Sequence, residues 1–470
     1  MLNDILALLK QELIVSLIIL VLLIIKVGSR EWKTENILTL VNLLLVLNLA
    51  AGFILNFEGS LFNQMFHTNK LIHLEKNLLN LATLIISFSS YNWLKNHSHA
   101  IEFYVLLLST LLGMFFMISG QNLLIFYVGL ELSTIPLAAI ANFDLTKRQS
   151  SEAAFKLIIS SAFSSGLLLF GISLVYGING SLDFTAIRAI ADTSSLHVFA
   201  FILLLSGFAF KISAVPFHLW TADVYEGAPV AVTSYLSVVS KAAIFFVLIT
   251  VLYTVFDFIV DDWYYMLVLL AVLTMVIGNL FAIRQNNLKR LLAFSSVSQV
   301  GFILVGISGS SQAGSASVTY FILVYIFSNL GAFGVVSFIS ALTGKETIDD
   351  YKGLYRTNPM LSWILTIALF SLAGIPPTAG FFGKFFLLMA GAGRGNYVLI
   401  IIAALNMIVA LYYYLHVVKA IFMDVNDNPL PSLKIPALPK MAMLLCGAGV
   451  VGTGFVGWIY DYIFSLSSGL

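Results

Sequence analysis

Apolar positions in this chain fall in long continuous runs, with neither strand-like alternation nor a single helical stripe. A helix crosses a bilayer with roughly 20 apolar residues. Fourteen runs meet that need: 11–27, 37–57, 77–94, 101–119, 122–141, 153–177, 197–220, 229–254, 263–283, 288–308, 318–342, 360–389, 397–422 and 441–464. They are apolar all round and too long for the alternating strands of a membrane barrel. Only helices or closed barrels satisfy their backbone in lipid. The predicted fold is an all-α polytopic membrane protein with about fourteen transmembrane helices. The first run is flanked by Asp4 and Glu12, lacks a small-residue cleavage site after Ile25, and is followed by Lys26 and Arg30. It reads as a retained helix and not as a signal peptide. Pro429, Pro431, Pro436 and Pro439 predict an extended surface loop over 423–440.

Composition narrows the function classes. Of 470 residues, 60% are hydrophobic and only 10% charged, against about 25% charged in soluble domains. A soluble enzyme and a disordered chain are both excluded. The net charge of +1 provides no basic surface for nucleic acid. One cysteine, Cys446, excludes a disulfide framework, a thiolate metal site and an iron–sulfur cluster. No cofactor or metal ligand set is expected, and the partner implied throughout is the lipid bilayer.

Lys and Arg set the orientation. With fourteen spans, one set of loops carries fifteen, among them Lys26, Arg30, Lys95, Lys147, Arg284, Lys289 and Arg290, and the other side carries Lys10, Lys70, Lys76, Arg188 and Arg394. The richer side is expected in the cytoplasm and both termini outside. Arg284, Lys289 and Arg290 are explained by this flank alone.

The remaining four cations, Lys156, Lys211, Lys241 and Lys384, fall inside spans, as does Glu131. An ionisable group costs several kcal/mol at the bilayer centre, about 3 for lysine on insertion scales, so such residues are functional candidates. Glu131 sits mid-span, five residues before Pro136. Lys211 precedes Pro216, which removes an amide and breaks the helix just after the lysine. Irregular backbone at that depth is tolerated where it lines a cavity. Lys241 follows Ser237 and Ser240 in mid-span, and Lys384 follows the Pro- and Gly-rich run 373–383, a second broken helix. Lys156 has two readings, a relay group or an i, i+4 partner of Glu152. His218 follows the first break as a proton relay or a structural hydrogen bonder. Asp223 and Glu226 follow as proton collectors or solvated loop residues.

The broken helices at 197–220 and 360–389 run in opposite directions by the loop count. Interrupted helices so placed mark inverted repeats with the functional site at the breaks. The expected organisation is helices 1–3 (residues 1–100), a first repeat of helices 4–8 (101–254), a second of helices 9–13 (263–422), and a loop with helix 14 (423–470).

Three motifs carry a resemblance: the run from Lys211 through Pro216 and His218 to Pro229, the run Asn287–Gln299, and the run Ala373–Lys384. Together they resemble the antiporter-like proton-translocating membrane subunits of NADH-quinone oxidoreductase (respiratory complex I) and their relatives in Mrp-type sodium/proton antiporters. Lys384, where the M-type and Mrp D-type members carry glutamate, and a chain ending soon after the fourteenth span place the resemblance on the subunit N branch. It implies a bacterial inner-membrane subunit beside other membrane-arm subunits, K and M as neighbours. FMN, iron–sulfur clusters and quinone are implied in partner subunits only. It further implies that Glu131 pairs with Lys211, that Lys241 is the central relay lysine and that Lys384 is the terminal exchange residue. Lys156 matches a lysine of that branch. Gln299 stands where many members have histidine; its amide cannot take a proton but can orient water, so a water bridge is expected between Lys241 and Lys384. The competing reading is an Mrp-type subunit without a redox partner.

Overall fold

The computed structural model describes residues 2–28, 32–54, 57–190, 194–426 and 428–469; Arg30 lies outside them. Among these residues, twelve helices are long and apolar enough to cross a membrane. Two further predicted runs are shaped differently. Run 11–27 is the helix Lys10–Val27, which carries Lys10, Glu12 and Lys26. Run 360–389 is divided into Pro359–Ala373 and Ala379–Ala392. Run 441–464 is also interrupted, into Ala437–Phe455 and Trp458–Leu466.

Burial sorts the helices into centre and rim. Leu288–Ile307 is 94% buried over its most apolar window and Lys70–Ser89 is 89% buried, against 28% for Ala437–Phe455. Small residues bring helices together where apolar transfer cannot, since lipid is as apolar as leucine. A Cβ on Gly113 would lie 2.6 Å from the Ser133 amide nitrogen, so Ala100–Ser119 and Leu123–Ala141 touch backbone to backbone.

Three features depart from the expected plan. The third helix begins at Lys70, not 77, which takes Glu75 and Lys76 inside. Lys76 is fully buried and pairs with Glu12 at 2.5 Å, and Lys10 is buried as well. Both lysines had been counted as outer-loop cations. The reason is tertiary: polar residues that lower the hydropathy of one helix find partners on another. Second, the 58–76 connection holds a hairpin of strands Gly59–Leu61 and Phe66–Thr68. Third, the helix expected over 229–254 contains two π-helical turns, Leu236–Ser240 directly before Lys241 and Val251–Val255.

Candidate functional site

Both predicted interruptions are present. The first helix is Ser195–Ile212, ending on Ser213 in the left-handed region at φ 64°, and the chain resumes as Trp220–Gly227. Pro216 removes the amide that would carry the hydrogen-bond ladder on, and its ring crowds the preceding turn. The freed backbone groups are satisfied by side chains: the Val215 amide donates to Thr274 Oγ1 at 3.0 Å, and Trp220 Nε1 donates to the Phe210 carbonyl at 3.2 Å. The second break ends on Gly374 at φ 86°, and the Gly380 amide donates to Ser371 Oγ at 3.1 Å. Each break thus places a lysine beside exposed helix ends.

Lys211 lies in the last turn before the first break. Its Nζ donates to Ser161 Oγ at 2.5 Å and Thr134 Oγ1 at 3.1 Å. Thr134 stands one turn beyond Glu131 on the helix Leu123–Ala141. Glu131 itself makes no ion-pair contact with Lys211, and its buried Oε1 has no hydrogen-bond partner. Lys211 and Glu131 thus make no direct ion pair, yet the Glu131 carboxylate acts on the lysine electrostatically from the helix that carries Thr134.

Lys241 is buried, donates to Ser296 Oγ at 3.0 Å and lies 5.6 Å from the centre of the Tyr225 ring. The preceding π-turn inserts an extra residue per turn, a distortion frequent at functional sites. Gln299 is one turn from Ser296 on Leu288–Ile307, the most buried of the candidate spans. Its Nε2 donates to the Leu372 carbonyl at 3.0 Å and to Tyr414 Oη at 3.3 Å, while its buried Oε1 has no partner among the described residues. A cavity of about 10 Å³ lined by Lys241, Ser296 and Gln299 has room for about one water.

Lys384 is wholly buried in the second turn after the break. Its Nζ donates to the Leu372 carbonyl at 2.7 Å and the Ala373 carbonyl at 3.4 Å, and it lies 4.6 Å from the centre of the Phe302 ring. These carbonyls close the helix Pro359–Ala373, whose C-terminal dipole favours a cation. The break thus supplies the counter-charge that no carboxylate provides.

On the side of the Lys/Arg-rich loops, Lys156 bonds Glu152 at 2.8 Å, as the i, i+4 reading expects, but also Asp223 at 2.6 Å. Arg290 joins Asp223 at 2.9 Å and Glu226 at 2.7 Å, and Lys289 pairs with Glu346 at 2.6 Å. Glu152, Lys156, Asp223, Glu226 and Arg290 line a charged cleft of about 260 Å³. Arg290 and Lys289 therefore bind specific carboxylates as well as flanking a span, which the sequence could not show because the partners of Arg290 are 67 and 64 residues away. Burial alone would raise the Asp223 carboxyl, but Lys156 and Arg290 overcome it and hold the group below its ordinary range. His218 is buried in the first break, 5.9 Å from the Phe281 ring, and neither nitrogen makes a well-formed hydrogen bond. The structure does not bring it to any of the four central residues by direct contact.

Sequence reasoning missed the hydroxyl groups that receive these lysines. Thr134, Ser161 and Ser296 are unremarkable in sequence, and their role depends on which helices face each other. The π-turn before Lys241 had no sequence signal either.

The family described as NADH:quinone oxidoreductase/Mrp antiporter, TM, matches residues 120–409, which include every break and lysine just described. The chain is 44% identical to the NADH-quinone oxidoreductase subunit N of Phocaeicola vulgatus, over 93% of this chain and 92% of that one. It resembles a chain of respiratory complex I from Thermus thermophilus with TM-score 0.81 and 28% identity, covering 94% of this chain and 96% of that one. A chain of the Mrp complex from Dietzia shares the fold at TM-score 0.86 and 21% identity, covering 98% and 96%. On the matched domain and the near full-length likeness to subunit N, the chain belongs to the NADH:quinone oxidoreductase/Mrp antiporter family of membrane subunits.

Proposed function

We propose that this chain is a proton-translocating membrane-arm subunit of an NADH-quinone oxidoreductase, which couples quinone reduction in partner subunits to proton movement along Glu131, Lys211, Lys241 and Lys384. The observation that carries this reading is the placement of three buried lysines on neutral hydroxyls and carbonyls, two of them at helix breaks. A buried lysine with such partners changes its proton affinity readily, because desolvation opposes the charge and a nearby carboxylate restores it. A shift of Glu131 relative to the Thr134–Lys211 contact would change the affinity of Lys211. A proton passed to Lys241 would then repel the next charge toward Lys384. The cavity at Gln299 and its unpartnered Oε1 support a water bridge between the last two lysines. Lys156, Asp223 and Arg290 form a polar mouth on the cytoplasmic side, and His218 lies between that mouth and Lys211 in sequence.

The chain supplies no redox chemistry in this reading; FMN, iron–sulfur clusters and quinone belong to partners, with subunits of the K and M types as neighbours. Residues 101–254 and 263–422 are the two inverted repeats, and both termini lie outside the inner membrane. The alternative, a sodium/proton antiporter subunit without a redox partner, draws on the Mrp-like fold. Lys384 in the second break and the higher identity to subunit N favour the first. Mass spectrometry of the native detergent-solubilised complex tests the choice: co-purification with NADH-oxidising subunits is expected, and an assembly of Mrp subunits alone would overturn it.

A further inference from the structure

A large cavity lies away from the lysine axis, on the face opposite the Lys/Arg-rich loops. It measures about 520 Å³ and is lined by Glu75, His67, Asn63, Asp183, Thr250 and Thr254, among others. The hairpin that the sequence did not predict forms part of its wall through Ser60, Asn63 and His67. His67 is held by Ser60 Oγ at 3.0 Å, and Asp183 accepts from Asn122 at 2.6 Å. Glu75 is different. It is 6% exposed, lines the cavity, and among the described residues has no hydrogen bond or ion pair.

Behind Glu75 stands a buried set of charges. Lys76 pairs with Glu12, and Lys10 lies close by over the Phe57 ring. His73 bonds Gln11 and the Phe57 carbonyl. Two lysines and one paired carboxylate leave an excess of one positive charge, which ionised Glu75 cancels and protonated Glu75 does not. A buried charge without compensation is costly, so the protonation of Glu75 sets the electrostatic state of this cluster. The helix Lys70–Ser89 packs against the helical segment that carries Lys241. Thr250, at the cavity, is nine residues beyond Lys241 on that element, about 13 Å at ~1.5 Å per residue. Glu75 is a buried carboxyl at the wall of a polar cavity, a group that exchanges a proton with water.

We propose that this cavity is an outer-face proton-exchange site whose acid is Glu75. The step is a reversible transfer in which hydronium gives its proton to the Glu75 carboxylate, leaving water and a neutral carboxyl; no other bond changes. Lys76 acts on it from within, with Glu12, Lys10 and His73 gathered around Lys76, and His67 and Asp183 line the same cavity. As a device of the pump it rests on the proton-translocation reading above.

The test uses the intact complex in inside-out vesicles, with Glu75→Gln, Glu75→Asp and Lys211→Ala in parallel. Glu75→Gln is expected to lower lumen acidification per electron several-fold at normal subunit abundance, and Glu75→Asp to restore it. Infrared difference spectra between two lumenal pH values are expected to show a carboxylic-acid band that Glu75→Gln removes. An unchanged band, or wild-type coupling in Glu75→Gln, overturns the site. Should Glu75→Gln fail to assemble, Glu75→Asp decides, a shifted carboxylic band supporting the site and an unshifted one sinking it. Lys211→Ala separates the two readings: normal pumping there removes the relay, while the infrared band still reports on Glu75.

Discussion

Gln299 and Lys384 donate to the same backbone oxygen, that of Leu372, at 3.0 and 2.7 Å. The carbonyl belongs to the last turn before the second break, where no following amide claims it. The amide of Gln299 is thereby pinned on one side, and its free Oε1 is left for the small cavity shared with Lys241. Gln299→Leu removes both ends of this bridge and is expected to slow pumping and quinone reduction together. Gln299→His is expected to be tolerated and to add a pH dependence in the ordinary imidazole range. Exposed Arg284→Gln serves as the control. Normal pumping by the leucine variant would take the proton path away from Gln299.

Lys211→Ala is expected to leave assembly intact and lower pumping about tenfold or more, a barrier change of about 1.4 kcal/mol per decade. The lysine spans from the first break to Ser161 and Thr134, so its loss disconnects two helices' polar groups. Vesicle acidification at wild-type subunit levels decides it.

Glu131→Gln keeps the shape of the side chain and removes the charge that acts on Lys211 across Thr134. Reduced pumping is expected, with Glu131→Asp milder. Because no direct ion pair ties the two, subunit abundance should not change; a loss of abundance together with normal specific pumping would make Glu131 structural.

Gly380→Ala should damage the second break. A Cβ there would lie 1.7 Å from the Ser371 carbonyl oxygen, a backbone clash across the two halves of the interrupted helix. Overpacking of this kind costs about 1–3 kcal/mol. The expected readout is reduced subunit abundance and a lowered thermal midpoint of the complex. An unaltered midpoint would show that the two halves are free to separate.

Asp223→Asn weakens the charged cleft. The carboxyl is held below its ordinary value of 3.8 in the folded chain, so its contribution is present above that value and disappears as pH falls through the lower folded value. At partial exposure the pair contributes modestly, about 0.2–1 kcal/mol. The thermal midpoints of wild type and variant should differ at neutral pH and converge only in acid below the ordinary aspartate range. A difference that vanished on raising the pH would contradict the sign.

The sequence by itself determined the membrane-spanning helical class, because a long apolar run has few other stable states in lipid. It also located both breaks, because Pro216 and the Pro–Pro pair at 376–377 remove backbone donors wherever the chain goes. The intramembrane cations Lys211, Lys241 and Lys384 were legible for the same local reason: their burial is costly whatever surrounds them. What surrounds them was decided only by the tertiary structure. Hydroxyls of Thr134 and Ser161 receive Lys211 and that of Ser296 receives Lys241, the Leu372 carbonyl links Gln299 to Lys384, and Asp223 gathers Lys156 and Arg290. Lys76, which pairs with Glu12 in the interior, reads as loop charge in the sequence because the polar start of its helix is not apolar enough to stand out until a second helix supplies its partner. Hydropathy measures one segment against solvent, whereas ion pairs, hydrogen bonds and cavities depend on which segments meet.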